Sequence, residues 1–299
     1  MTSPTSAIDP PWLFAYTSSH TITHIAGGLL RKDLSDGALT ASAQATRHDD
    51  IHLPQREPAV YRHLLAPLRI GPRCVASGDD WIVVEHLDAR PLWQIGDPAT
   101  WIDVARWTAS CHSLLGDLPS QLLLAVPLAR YDAQWYETCH TRAALAGVGA
   151  SLLDAHRRAG AHLAALPTGL IHGELYSSNV LAGSGERATD GVSGTAVWPV
   201  DWEMTGVGPH VLDVAALTAG AGLSSATRAA MEEAYFETAS STRAMPSMER
   251  WRVDLAAARV QIGVQWLGWS PTWRAPAEHD PDWPAATALA AEAFDGAHR

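Results

Sequence analysis

The stretch from Leu170 to Glu203 constrains what this chain can be more than any other. It opens with Leu170-Ile171-His172-Gly173-Glu174-Leu175 and continues Tyr176-Ser177-Ser178-Asn179-Val180-Leu181. A Gly-rich polar interval follows, and then Val200-Asp201-Trp202-Glu203. Apolar residues flank each polar set, the pattern of a buried strand running into a loop. The first set offers a carboxylate and, five residues on, an amide; the second offers two carboxylates separated by one residue. These are hard oxygen groups, suited to Mg²⁺ and to a hydroxyl proton rather than to zinc. The interval Ala182 to Gly191 reads as a hairpin tip. Strands paired on either side of it would bring Asn179 and Asp201 together, as joint metal binding requires.

Taken singly, His172 reads as a core histidine, and Asn179 or Asp201 as a turn residue. Their order and flanks carry more. The spacing resembles the catalytic core of protein kinases, whose His-x-Asp-Leu-x-x-x-Asn is met by His172, Glu174, Leu175 and Asn179, with Asp201 at the place of the metal-binding Asp. Closer still is the resemblance to the aminoglycoside phosphotransferase family of small-molecule kinases. That family writes His-Gly-Asp-x-x-x-x-Asn and then Ile-Asp-Trp/Phe-Asp/Glu, matched here by His172-Gly173, Asn179 and Asp201-Trp202-Glu203. One position departs: Glu174 stands where the family has Asp.

The resemblance implies an α+β, two-lobed, protein-kinase-like fold. A small β-rich lobe over residues 1–88 would bind nucleotide, and a larger helical lobe over residues 89–299 would carry the catalytic loop and acceptor pocket. It implies transfer of the γ-phosphate of ATP or GTP to a hydroxyl of a small molecule such as an aminoglycoside, sugar or amino alcohol. Glu174 would accept the hydroxyl proton; Asn179 and Asp201, helped by Glu203, would hold Mg²⁺; His172 would shape the loop. Asp213-Val214-Ala215 looks like the family's support for that loop, an Asp hydrogen-bonded to its backbone. The alternative is a pseudokinase, a binding or scaffolding protein with the fold but no turnover. Glu174 and the absence of a glycine-rich phosphate loop favour it, and intact Asn179 and Asp201 oppose it.

Upstream, Thr21 to Ile25, a Gly27-Gly28 turn and Leu29 to Leu34 form a plausible hairpin. By the resemblance, Lys32 on its second strand would reach the phosphates, and Glu57, at the start of the next helix, would pair with it. On that helix Val60, Leu64 and Pro67 are expected on one side. A second hairpin, Arg73 to Ala76 and Trp81 to Leu87, leads to the crossover, where the resemblance assigns the adenine edge to the backbone of Glu85, His86 and Leu87. A Gly-x-Gly-x-x-Gly before Lys32 is missing; Tyr16 to Ser19 and Gly27-Gly28 are poor substitutes.

Downstream the pattern turns helical. Asp97 caps a helix that begins at Pro98, carries Trp101, Ala105, Thr108, His112 and Leu115 at helical spacing, and closes at Gly116. Helices are expected about Tyr131–Leu145 and Ser151–Leu166, another from His210, and three or so after Ser224. With no clustering, His112, His140, His156 and His162 read as structural or surface residues. There are 13 Trp against 6 Tyr and 3 Phe. Trp266, Trp269, Trp273 and Trp283 read first as packing residues, and second as a stacking wall for a substrate, with Glu278, Asp280 and Asp282 nearby. A net charge of −11 argues against nucleic acid or an anionic membrane as partner. Three scattered cysteines read as free thiols in a reducing cytoplasm.

Overall fold

The computed structural model describes residues 20–39, 53–184, 195–219, 223–268 and 283–297. Strands β1 (Ile22–Ile25) and β2 (Leu29–Asp33) form the first hairpin, antiparallel with Ile22 opposite Lys32. Its turn runs through Gly27 and Gly28, both at positive φ, where a side chain would be strained. β3 (Cys74–Ser77) and β4 (Trp81–Glu85) form the second hairpin. β4 also pairs with β2, placing Lys32 opposite Ile82, so the sheet runs β1-β2-β4-β3.

Helix α1 (Arg56–Val60) continues through a π-helical turn, Tyr61–Leu65, to a last α turn, Ala66–Leu68. Val60 and Leu64 are buried as the periodicity requires, but Pro67 is exposed. The π turn accounts for this, because its wider ring rotates the last α turn away from the 3.6-residue phase. The helix starts at Arg56, which places Glu57 in its first turn.

The remainder is mainly helical. α2 (Pro98–Gly116) is capped by Asp97, whose carboxylate accepts from the Ala99 amide at 3.2 Å, and Trp101, Ala105, Thr108, His112 and Leu115 are all buried. Then come α3 (Ser120–Leu124), α4 (Ala133–Leu145) and α5 (Ala150–Ala164), succeeded, beyond the central motif, by α6 (Val211–Leu217), α7 (Ser225–Thr242), α8 (Met248–Leu267) and α9 (Trp283–Gly296). Among the described residues, none of these helices is long and apolar enough to cross a membrane.

Two small sheets hold the motif segments. β7 (Gly169–Ile171) pairs antiparallel with β10 (Gly206–Gly208), which pairs in parallel with β6 (Ala129–Arg130). β8 (Val180–Ser184) and β9 (Thr195–Pro199) form the expected hairpin, flanked by β5 (Arg90–Pro91). A large apolar core joins α2 to α4–α9, while a smaller one joins α1, Ile82 and Val84 to Cys111, Leu115 and Trp202. Cys74, Cys111 and Cys139 are free thiols.

Candidate active site

The β8–β9 register puts Val180 opposite Pro199, and the Val200 amide donates to the Asn179 carbonyl at 2.9 Å. The two polar sets of the motif therefore leave one hairpin side by side. Asp201 then turns into the left-handed region, φ 67° and ψ 61°, which a short polar side chain tolerates better than most. The next turn, Trp202–Met204, is fixed from several sides. The Trp202 amide donates to Glu57 Oε1 at 3.2 Å, and its indole to the Pro199 carbonyl at 3.0 Å. Arg56 donates to the Glu203 and Pro127 carbonyls at 2.8 and 2.7 Å, and the Tyr131 hydroxyl to the Met204 carbonyl at 2.7 Å.

Lys32 meets this turn from the sheet. Its ammonium donates to Glu57 Oε2 at 2.7 Å and to Asp201 Oδ1. Lys32 is 7% exposed and Glu57 1%. Burial alone would push the ammonium down, but Asp201, Glu57 and Glu203 outweigh it and hold it well above its usual range. Burial pulls Glu57 upward against the attraction of Lys32. Burial also raises Asp201, but there Lys32 prevails and the carboxyl is held low. The cluster thus presents one firmly charged cation between carboxylates.

The loop after β7 is held by its backbone. Gly173 sits at φ +89°, and a Cβ there would run into the Tyr131 hydroxyl and the Met204 carbonyl, so only glycine fits. Asp213 accepts the His172 and Gly173 amides at 2.8 and 2.9 Å. That is the loop support expected of a buried carboxylate on an otherwise apolar helix. The Glu174 amide donates to His172 Nδ1 at 3.3 Å, so the proton of a neutral ring lies on Nε2, which donates to the Val200 carbonyl at 3.0 Å. Burial keeps that imidazole below its usual range. His172 therefore ties the loop to the strand entering Asp201, and its ring packs on Trp202 with centroids 4.5 Å apart.

Glu174 is half-buried. Burial first, then the carboxylates of Glu203 and Asp201, pushes its carboxyl well above the usual range. The Asn179 amide donates its Nδ2 proton to the Glu174 carbonyl at 3.0 Å, which leaves Oδ1 as an acceptor. Asn179 Oδ1 and Asp201 are oxygen donors of the kind Mg²⁺ takes. Glu203 Oε2 lies 3.3 Å from His20 Nδ1.

A cavity of about 450 Å³ opens beside this cluster. Lys32, Glu57, Asn179 and Asp201 line one side, Glu85, His86 and Leu87 another, and Ile22, Leu30 and Val84 supply apolar wall. Glu174 and Glu203 do not line it. At the crossover the Glu85 and His86 amides already donate to the Arg73 and Gly28 carbonyls, at 3.0 and 2.9 Å. The Glu85 carboxylate turns to Arg73, accepting its amide at 2.8 Å. Gly27 and Gly28 do not line the cavity, and Tyr16 to Ser19 lie outside the described residues.

Several residues that hold the site carry no local signal. Arg56 and Tyr131 meet the 202–204 turn only through the fold, and Arg56 also ties it to the Pro127 carbonyl. So does an aromatic pair beside the loop: the Trp266 indole donates to the Tyr176 hydroxyl at 2.5 Å, two residues from Glu174. Trp283 stacks on Trp266 with centroids 6.1 Å apart and is itself core. Trp269, Trp273, Glu278, Asp280 and Asp282 lie outside the described residues.

A model of the phosphotransferase enzyme family matches residues 41–252. No curated protein matches the sequence. Solved structures do match in fold. A choline/ethanolamine kinase family protein from Mesorhizobium loti superposes with a TM-score of 0.57 at 16% identity, over 97% of this chain and 91% of that one. A macrolide 2′-phosphotransferase from Brachybacterium faecium gives 0.55 at 17%, over 93% and 90%. The GDP complex of aminoglycoside 2′-phosphotransferase-IIIa gives 0.55 at 12%, over 93% and 89%. At these identities the likeness establishes the protein-kinase-like fold.

Proposed function

Since the chain belongs to the phosphotransferase enzyme family, a family of small-molecule kinases, we propose that its 450 Å³ cavity takes the magnesium complex of ATP or GTP and that its γ-phosphate passes to a hydroxyl of a small molecule such as an aminoglycoside, sugar or amino alcohol. The observation that carries the reading is the convergence of Lys32, Glu57, Asn179 and Asp201 on a cavity that Ile22, Leu30, Ile82, Val84 and Leu181 supply with apolar wall. A purine needs the apolar walls, and a triphosphate needs the polar side. That the aminoglycoside 2′-phosphotransferase-IIIa similar in fold was solved with GDP supports a nucleotide as co-substrate.

Lys32, oriented by Glu57, binds phosphate oxygens. Asn179 Oδ1 and Asp201 would hold Mg²⁺, helped by Glu203. The metal, when bound, neutralises charge on the β- and γ-phosphates. With the Glu85 and His86 amides already bonded, the Leu87 amide is the donor of the three that meets the base. The lobes divide near Asp88, and Asp88 to Pro91 line the cavity between them. Glu174 accepts the hydroxyl proton of the acceptor. Catalysis here is positioning plus charge neutralisation.

The test has two stages. Mg·ATP and Mg·GTP are first compared by thermal shift, since a ligand at about a hundred times its Kd adds roughly 2.7 kcal/mol to the native state. Radiolabelled single-turnover transfer to a panel of hydroxylated acceptors comes second. Absence of a shift with either nucleotide would end the proposal.

A further inference from the structure

The support of the His172–Gly173 loop does not end at Asp213. Besides the two loop amides, Asp213 Oδ2 lies 3.0 Å from His112 Nε2. A carboxylate can only accept, so Nε2 carries the proton of the neutral ring and Nδ1 is left as an acceptor. The Tyr235 hydroxyl lies 2.8 Å from that Nδ1 and supplies the donor. Having given its proton to His112, the same hydroxyl accepts from the Arg243 guanidinium at 2.8 Å. The polarity runs one way throughout: Arg243 to Tyr235, Tyr235 to His112, His112 to Asp213, with the two loop amides donating to that same carboxylate.

Arg243 acts twice. A second of its nitrogens bonds His210 Nδ1, and the His210 ring stacks flat on His112, with centroids 4.2 Å apart and planes 5° from parallel. His112 is thus held at one edge by Tyr235, at the other by Asp213 and on its face by His210, with Arg243 fixing two of the three. His112 is 3% exposed, Tyr235 1% and Asp213 1%, so water cannot substitute for a missing partner. Arg243, the C-cap of α7, is half-buried where the chain leaves that helix for α8.

We propose that Arg243 and Tyr235 are positioning residues for the catalytic loop, acting through His112 and Asp213 on the His172 and Gly173 amides. Neither touches the nucleotide cavity. The proposal rests on the phosphotransferase reading for the word catalytic, but not for the mechanical claim. If Tyr235 loses its hydroxyl, His112 Nδ1 is left a buried acceptor with no donor. Its tautomer preference then weakens, and with it the hold on Asp213.

The experiment compares wild type with Tyr235→Phe, Arg243→Gln and the double variant, at pH 8. Hydrogen exchange is read by NMR at the His172 and Gly173 amides, ring ¹⁵N shifts are read at His112, and turnover is read as slow Mg·ATP hydrolysis. His156→Gln serves as a control, because it unmakes a buried 2.6 Å bond to Gln261 outside this chain of contacts. Exchange at both amides should quicken about tenfold in each single variant, and the double variant should be little worse than either. That non-additivity is the mark of residues acting in series. The His112 ring shifts should move, and kcat should drop about tenfold with KM for nucleotide unchanged. The control should show none of these effects. Unchanged exchange and ring shifts in folded Tyr235→Phe would overturn the proposal, and so would a drop in kcat without them. Quickened exchange in a protein that hydrolyses no nucleotide would uphold the positioning claim and count against the phosphotransferase reading alone.

Discussion

Glu174 stands where the sequence resemblance expects Asp, and its chemistry can be separated from that of its neighbours. Glutamate matches aspartate in charge and basicity but reaches one methylene further, and for a proton acceptor geometry comes before pKa. Glu174→Gln should abolish transfer while Mg·nucleotide still binds. Glu174→Asp should lose on the order of a hundredfold, because a misplacement of about 1 Å costs that much. Single-turnover transfer to an identified acceptor decides between them; an inactive wild type rescued by Glu174→Asp would mark a pseudokinase. Asp201→Asn should remove turnover with the fold kept, since an amide neutralises less phosphate charge through the metal; near-normal rates at saturating Mg²⁺ would exclude Asp201 as ligand. Lys32 and Glu57 touch at 2.7 Å. Lys32→Met and Glu57→Gln should therefore each impair nucleotide use, and the double variant should scarcely exceed Lys32→Met. Additive losses measured as kcat/KM would separate the two residues.

Elements were legible in the sequence wherever the signal is local. Asp97-Pro98 marks the start of α2, the Gly-rich interval marks the β8–β9 hairpin, and both stand where expected. The placing of Lys32, Glu57, Asn179 and Asp201 around one cavity follows from strand, helix and hairpin order, and so could be read by resemblance. The π turn could not, because Tyr61–Leu65 has ordinary helical composition and its wider ring answers to packing; it is why Pro67 faces outward. Nor could the contacts from Arg56 and Tyr131 to the 202–204 turn, or the series from Arg243 to Asp213, which join residues a hundred or more positions apart at some steps. Gly173 lies between these cases: the motif names it, and the structure explains it. Gly173→Ala should displace the loop from Tyr131 and Met204, lowering stability by about 1–3 kcal/mol through the strained φ and the clash. Urea unfolding, paired with the thermal shift by Mg·nucleotide, would show whether only the loop or the whole lobe responds.

At the scale of the whole molecule, neutral buried histidines link the helical core to pH. Burial pushes His112 down to about 3 and His156 down to about 4. In the unfolded chain each titrates near 6.5. Below that pH the unfolded state takes up a proton the native state refuses, so stability falls as pH falls, by about 1.4 kcal/mol per unit for each such group. Buried carboxyls work the other way: Glu57, Glu174 and Asp213 are raised chiefly by burial, so the native state holds their protons to higher pH than the unfolded state does. The net slope is therefore a poor probe, and the difference between two proteins is a better one. His156 is suited to this. Its Nε2 bonds Gln261 Oε1 at 2.6 Å, and the groups around it are His140, Glu137 and Arg157, none of them in the active site. At pH 8 His156→Gln should be the less stable protein by roughly the 1 kcal/mol of a buried hydrogen bond. As pH falls from 6.5 to 4 it escapes the penalty of keeping an imidazole neutral, and should gain roughly 3 kcal/mol on the wild type. The two stability curves should therefore cross between pH 6.5 and 5, with the variant the more stable below the crossing. Urea unfolding of both proteins at half-unit steps from pH 8 to 4.5 measures the difference, and parallel curves across that range would mean that His156 takes up its proton in the native state as readily as in the unfolded chain.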